Sequence, residues 1–147
     1  MLDISAQLGT FDSPDLTPDM MANIIVNWVN ALVATNVAYL ALYPNTIPLY
    51  QSGVYYREEK MGQEDFFDIP TVLFQGYADC EDLAAWRCAE YLSVGEMAYV
   101  VVTWEAIEHN SGDIDILFHV RVQSQYGLED PSEILGMGSL WGNRLVG

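Results

Sequence analysis

Basic side chains are nearly absent from this sequence: five Lys and Arg stand against 21 Asp and Glu, a formal net charge of −16. That balance excludes charge-driven binding to nucleic acid or to an anionic membrane, because the cations that would displace counterions are missing. The surface it implies is acidic and self-repelling. Cysteine is scarce too. Cys80 and Cys88 are the only two; on one helix they stand about 12 Å apart at ~1.5 Å per residue, too far to pair. The chain is therefore not built on disulfides, which fits a reducing compartment. Histidine is limited to His109 and His119, and no closely spaced His/Cys set offers a metal site. The acids between residues 58 and 68 lack the spacing of a calcium loop, so no metal and no cofactor is expected. The start Met1-Leu2-Asp3-Ile4 has neither the basic residues nor the clean apolar core of a secretory leader. Each long apolar stretch is interrupted by polar residues. The longest carries Asn23, Asn27 and Asn30, which argues against a membrane span.

What is present is a chain of 147 residues, 51% of them hydrophobic. A disordered acidic chain would have far fewer hydrophobics. This one suits a single domain over residues 1–147 that buries about two-thirds of its unfolded surface. Repeats and low-complexity tracts are absent.

Residues 1–16, rich in Asp, Ser and Gly, read as an extended arm. Thr17-Pro18-Asp19 opens a helix: a capping hydroxyl, proline at the first position, an acid in the first turn. Met21, Ile25, Trp28, Leu32 and Tyr39 follow at helical spacing to an end near Tyr43-Pro44. Residues 44–70 hold prolines, aromatics and acids with no regular element predicted. Asp79 caps the next helix, with Asp82 three residues on, and Gly95 stops it. Met97 to Trp104 is an apolar, β-branched run that predicts a strand buried on both faces, and Glu105 to Gly112 reads as a polar connection. From Ile114 the chain alternates: Ile116, Phe118, Val120 and Val122 point one way, Asp115, Leu117, His119, Arg121 and Gln123 the other. Tyr126-Gly127 turns the chain into a short strand holding Asp130. Pro131-Ser132-Glu133 opens a helical turn, and residues 138–147 read as an irregular tail. Helices first and then a strand meander make the class α+β.

Three residues in this order carry chemistry. Cys80 falls at a helix start, where unpaired N–H groups and the helix dipole favour a thiolate. His119 lies on the polar side of an alternating strand, and a hairpin returns Asp130 beside it. If the Cys80 helix crosses that side, the imidazole takes the thiol proton and the carboxylate fixes the ring tautomer. An oxyanion would be held by the Cys80 N–H and a second donor upstream, for which Gln75 and Tyr77 are the candidates. Each residue also has an ordinary reading. Cys88 is a small buried hydrophobe, the acids at 79, 81 and 82 are helix capping, His119 is a satisfied sheet histidine, and His109 is solvated in a loop.

The string Gly76-Tyr77-Ala78-Asp79-Cys80-Glu81-Asp82-Leu83-Ala84-Ala85-Trp86-Arg87 resembles the nucleophile motif of transglutaminase-like proteins of tailed bacteriophages. The segments Pro48–Tyr56, His119–Val122 and Glu129–Met137 resemble that family's flanking blocks, so the likeness covers residues 40–137. It implies a transglutaminase-like or papain-like core with Cys80, His119 and Asp130 as nucleophile, base and orienting acid. One position departs: Ala78 stands where the family has glycine. The resemblance implies a cysteine hydrolase or acyl transferase acting on an amide of a protein or peptide. It also allows a virion or assembly component that keeps the fold and acts by binding other virion proteins. Host cytoplasm during assembly, and the virion itself, are the implied locations.

Overall fold

The computed structural model describes residues 3–6, 16–58 and 64–137. Its elements run β1 (Asp3–Ala6), α1 (Pro18–Leu42), a tight helical turn (Leu49–Gln51), β2 (Tyr55–Tyr56), β3 (Glu64–Phe67), α2 (Ile69–Gln75), β4 (Tyr77–Ala78), α3 (Cys80–Ser93), β5 (Ala98–Glu108), β6 (Ile114–Ser124), β7 (Gly127–Glu129) and a wide helical turn (Glu133–Met137). This is an α+β fold. The predicted tail, 138–147, lies outside the described residues. Of the predicted arm, residues 3–6 form a strand antiparallel to β3, with Ile4 opposite Phe66.

Helix α1 starts as its residues dictate. Thr17 Oγ1 accepts the Met20 N–H at 3.2 Å, and Pro18 occupies the first position. Its length and composition alone would suit a membrane crossing. Here its inner face (Met21, Ile25, Val29, Leu32, Val33) is buried against protein. Asn36 is buried on that face, and its Oδ1 accepts the Ile69 N–H at 3.0 Å, tying α1 to the head of α2. An amide so placed satisfies a backbone donor that burial would otherwise strand.

Helix α3 organises the rest. On one side Ala84, Ala85, Cys88 and Tyr91 join α1 and the sheet residues Val100, Val120 and Val122 in one core cluster. On the other side Leu83 and Trp86 join Leu49, Val54, Ile69 and Val72 in a second, with Leu135 packed against it. The helix is thus apolar on two flanks, with acids in its first turn and Arg87 at mid-length. Strands β5, β6 and β7 form an antiparallel sheet in which Val100 pairs with Val122, Thr103 with His119, and Val122 with Glu129. Strict alternation faces Val120 and Val122 to the helices and turns His119 and Arg121 the other way.

Two stretches of the backbone differ from the sequence reading. Residues 44–58 and 64–70 are not irregular: they contain the Leu49–Gln51 turn, β2, β3 and the start of α2. These are short pieces held by distant partners, as where β2 pairs in parallel with β4. Strand β5 is not buried on both faces, since Tyr99 is exposed, and it continues through the supposed polar connection to Glu108, opposite Ile114. That distal hairpin arm is mostly solvated, so its polar residues face water at no desolvation cost.

Candidate active site

The chain enters α3 through strand, cap and helix in three residues. Gly76 closes α2 in the left-handed region at φ 84, a conformation glycine adopts without steric cost. Tyr77 and Ala78 then pair with β2, and Asp79 in extended conformation caps α3, its side chain accepting the Asp82 N–H at 3.5 Å. Ala78, which stands where the resembled family has glycine, is buried in the second core, and among the described residues only glycines have a positive φ. The added methyl is packed rather than strained. Cys80 is consequently the first residue of the helix, half-buried against the first core. Its Sγ lies 3.7 Å from Glu81 Oε2, a contact made by a protonated thiol. Asp82 Oδ1 accepts the Phe67 N–H at 2.7 Å. That acid ties α3 to β3 as well as standing in the first turn.

His119 and Asp130 meet. The imidazole Nε2 is 2.7 Å from Asp130 Oδ2, and His119 is 1% exposed. Arg121 Nε approaches the same carboxylate oxygen at 3.4 Å, and the Glu133 N–H donates to Oδ1 at 3.2 Å. Burial alone would raise the Asp130 pKa. The hydrogen bond and charge of His119, with the Glu133 N–H and Arg121, outweigh it and hold the carboxyl below the usual carboxylate range. An ionised Asp130 on Nε2 keeps the proton on that nitrogen and makes Nδ1 the basic one. Asp130 sits one residue past β7 rather than within it. Alternation explains why adjacent acids part: Glu129 turns toward α3 and Asp130 toward His119.

The shaft of α3 does not cross the His119 side of β6. It packs on the Val120 and Val122 stripe, the apolar surface that most needs cover.

Gln75 and Tyr77 line a cleft of about 180 Å³ with Arg57, Glu58, Asp65 and Asp79. Gln75 Nε2 donates to the Tyr77 carbonyl at 2.7 Å, and the Arg57 guanidinium lies 4.7 Å from the Tyr77 ring centroid. Among the described residues no group of three His, Cys, Asp or Glu is placed to hold a metal ion.

No protein-family model, curated protein or solved structure matches this chain.

Two features escaped the sequence reading. His109 is not merely solvated: its Nε2 lies 2.5 Å from Asp115 across the exposed hairpin. More consequential is a network centred on Glu129. Its carboxylate accepts from the Tyr50 hydroxyl, from Arg87 Nε at 2.6 Å and from the Tyr91 hydroxyl at 2.5 Å. Arg87 also bonds Glu90 at 3.1 Å and lies over both tyrosine rings. Glu90 in turn accepts the Leu49 N–H at 2.8 Å. Burial would raise the Glu129 pKa, but Arg87 and the two hydroxyls lower it. The Tyr50 hydroxyl is pushed up, by burial first and then by its bond to Glu129. The only signal in the sequence was Arg87, the lone base on α3, among surrounding acids.

Proposed function

We propose that this chain is a transglutaminase-like cysteine hydrolase or acyl transferase of tailed-phage type, acting on an amide of a protein or peptide. Cys80 is the nucleophile, His119 the base and Asp130 the group that orients it. The observation that carries the reading is the buried His119 Nε2 to Asp130 Oδ2 contact of 2.7 Å, in a strand packed against the helix that Cys80 begins. A carboxylate at Nε2 supports the reading because it favours a proton on that nitrogen and leaves Nδ1 for a base.

The chemistry follows from the residue types. His119 Nδ1 takes the Cys80 proton, and the thiolate attacks the amide carbon to give a tetrahedral oxyanion. The Cys80 N–H at the head of α3, which no intrahelical carbonyl receives, is the first donor for that oxygen. The imidazolium then protonates the departing amine, leaving a thioester. Water or a second amine, deprotonated by His119, attacks the thioester and returns the thiol. For the second oxyanion post, Gln75 donates one of its two amide N–H groups to the Tyr77 carbonyl, which leaves the other as the candidate donor.

A second reading has its own support. The Cys80 thiol contacts Glu81 at 3.7 Å, and a neighbouring carboxylate opposes a thiolate. On that reading the protein is a virion or assembly component that binds other virion proteins and keeps an inert site. Under either reading the locations are the host cytoplasm during assembly and the virion.

The pH dependence of Cys80 alkylation by iodoacetamide separates the two. Activity predicts an apparent thiol pKa well below the unperturbed value of about 8.5, returned toward it by His119→Ala. Equal reactivity in both proteins at every pH removes the catalytic reading and leaves the binding one.

A further inference from the structure

The strand that delivers Asp130 to His119 is short. β7 pairs with β6 at Gly127, Leu128 and Glu129, opposite Ser124, Gln123 and Val122. The pairing ends there, Asp130 is the next residue, and Pro131 after it has no N–H to offer a ladder. The bonds at Asp130 itself are close by in the chain or come from β6. The Glu133 N–H donates to its carboxylate and the Ile134 N–H to its carbonyl, each at 3.2 Å. Arg121 approaches from β6 at 3.4 Å. The polar tie to α3 is made one residue earlier, by Glu129. Its carboxylate receives Arg87 Nε at 2.6 Å and the Tyr91 hydroxyl at 2.5 Å, both from α3, and the Tyr50 hydroxyl from the Leu49–Gln51 turn. Arg87 also donates to Glu90 at 3.1 Å and to the Tyr91 hydroxyl at 2.8 Å, so its planar fork is held in one orientation. The helix that begins at Cys80 therefore grips Glu129, and the next residue meets the imidazole. A single stiff peptide unit joins the two.

We propose that Glu129 and Arg87 are positioning residues for the candidate reaction: their bond sets β7 against α3 and, through the Glu129–Asp130 peptide, holds the Asp130 carboxylate on His119 Nε2. The inference rests on Cys80, His119 and Asp130 being the reactive set, and it gives the network a part in the chemistry besides its part in stability. A carboxylate out of place no longer selects the Nε2–H tautomer, and part of the population loses its base at Nδ1. The tolerance is small, since a misplacement on the order of 1 Å can cost about 100-fold in rate.

The test is nitrogen NMR of the full chain carrying isotope-labelled histidine, recorded over a pH series. His109, bonded to Asp115 on the distal hairpin, is the internal control. Where its ring is neutral, wild-type His119 should show one protonated and one unprotonated nitrogen, with the proton on Nε2. Glu129→Gln should draw these two shifts toward each other, the mark of tautomer exchange, and leave those of His109 in place. Tyr50→Phe removes one hydroxyl and keeps the ring; it should move His119 less and in the same direction, and it carries the test if Glu129→Gln does not fold. Asn36→Leu weakens the fold through α1 and α2 instead and should leave His119 as in wild type, which separates positioning from loss of stability. Unmoved His119 shifts in the network variants, or an equal movement in Asn36→Leu, overturn the proposal. Cys80 alkylation is the separate arm: a rate that His119→Ala does not change removes the catalytic reading, whereas the hold of Glu129 on the His119–Asp130 pair is decided by the nitrogen shifts alone.

Discussion

Replacing Glu129 with Gln keeps the side-chain volume and removes the charge on which three donors converge. Arg87 Nε at 2.6 Å, the Tyr91 hydroxyl at 2.5 Å and the Tyr50 hydroxyl all lose an anionic acceptor. A hydrogen bond to a charged group contributes about 1.5–3 kcal/mol, but bonds sharing one acceptor are not additive. The Arg87 and Glu129 side chains retain 23% and 20% exposure, so water compensates part of the loss. The expected cost is ~2–3 kcal/mol, which at this chain length lowers Tm by roughly 5–10 °C. Urea unfolding followed by circular dichroism measures it, with an unchanged m-value as the check that the same transition is observed. The pH dependence is a second constraint. The folded Glu129 pKa is depressed below its ordinary value of 4.5, so its stabilisation is present above that value and lost as pH falls through the folded pKa. Glu129→Gln should therefore flatten the acid limb of the stability curve while lowering its neutral plateau. A loss under ~0.5 kcal/mol at pH 7, or an acid limb as steep as wild type, would refute the reasoning from convergent bonds.

Two further outcomes are expected. Burial pushes the Cys88 thiol up to about 11, so peptide mapping after alkylation at pH 8 should find label on Cys80 and none on Cys88; comparable labelling of both would mean that this face of α3 opens readily. Asn36→Leu strands the buried Ile69 N–H that Asn36 Oδ1 accepts at 3.0 Å and should cost ~1–3 kcal/mol in denaturant unfolding, an effect absent if water reaches that amide.

The parts legible in the sequence are those whose cause is local. Thr17, Pro18 and Asp19 announce α1 because capping acts within one turn, and Asp79 and Gly95 bracket α3 for the same reason. The alternation from Ile114 to Gln123 follows from the pleat, and with the Tyr126-Gly127 turn it foretells that His119 and Asp130 are neighbours. Chain order could not show which side of β6 the α3 shaft would cover, because two stripes compete for it and the apolar one wins. Residues 44–70 were opaque because their order comes from elsewhere. Leu49 is held by Glu90, 41 positions away, and Tyr50 by Glu129, 79 positions away. No window on the chain spans such a contact. Nothing in the helical spacing marks Asn36; its role appears only when α2, capped by Asp68, brings the Ile69 N–H to it.

Because α3 is a party wall between two cores, neither core can be lost alone. Its backbone amides should exchange with solvent only through global opening, and a weakened contact in either core lowers the protection of the same helix. The head of that helix is Cys80, so thiol reactivity doubles as a sensor of folding: a destabilised variant will look chemically altered even when its substitution lies far from the thiol. Rates at Cys80 are therefore comparable only between proteins shown to be equally folded.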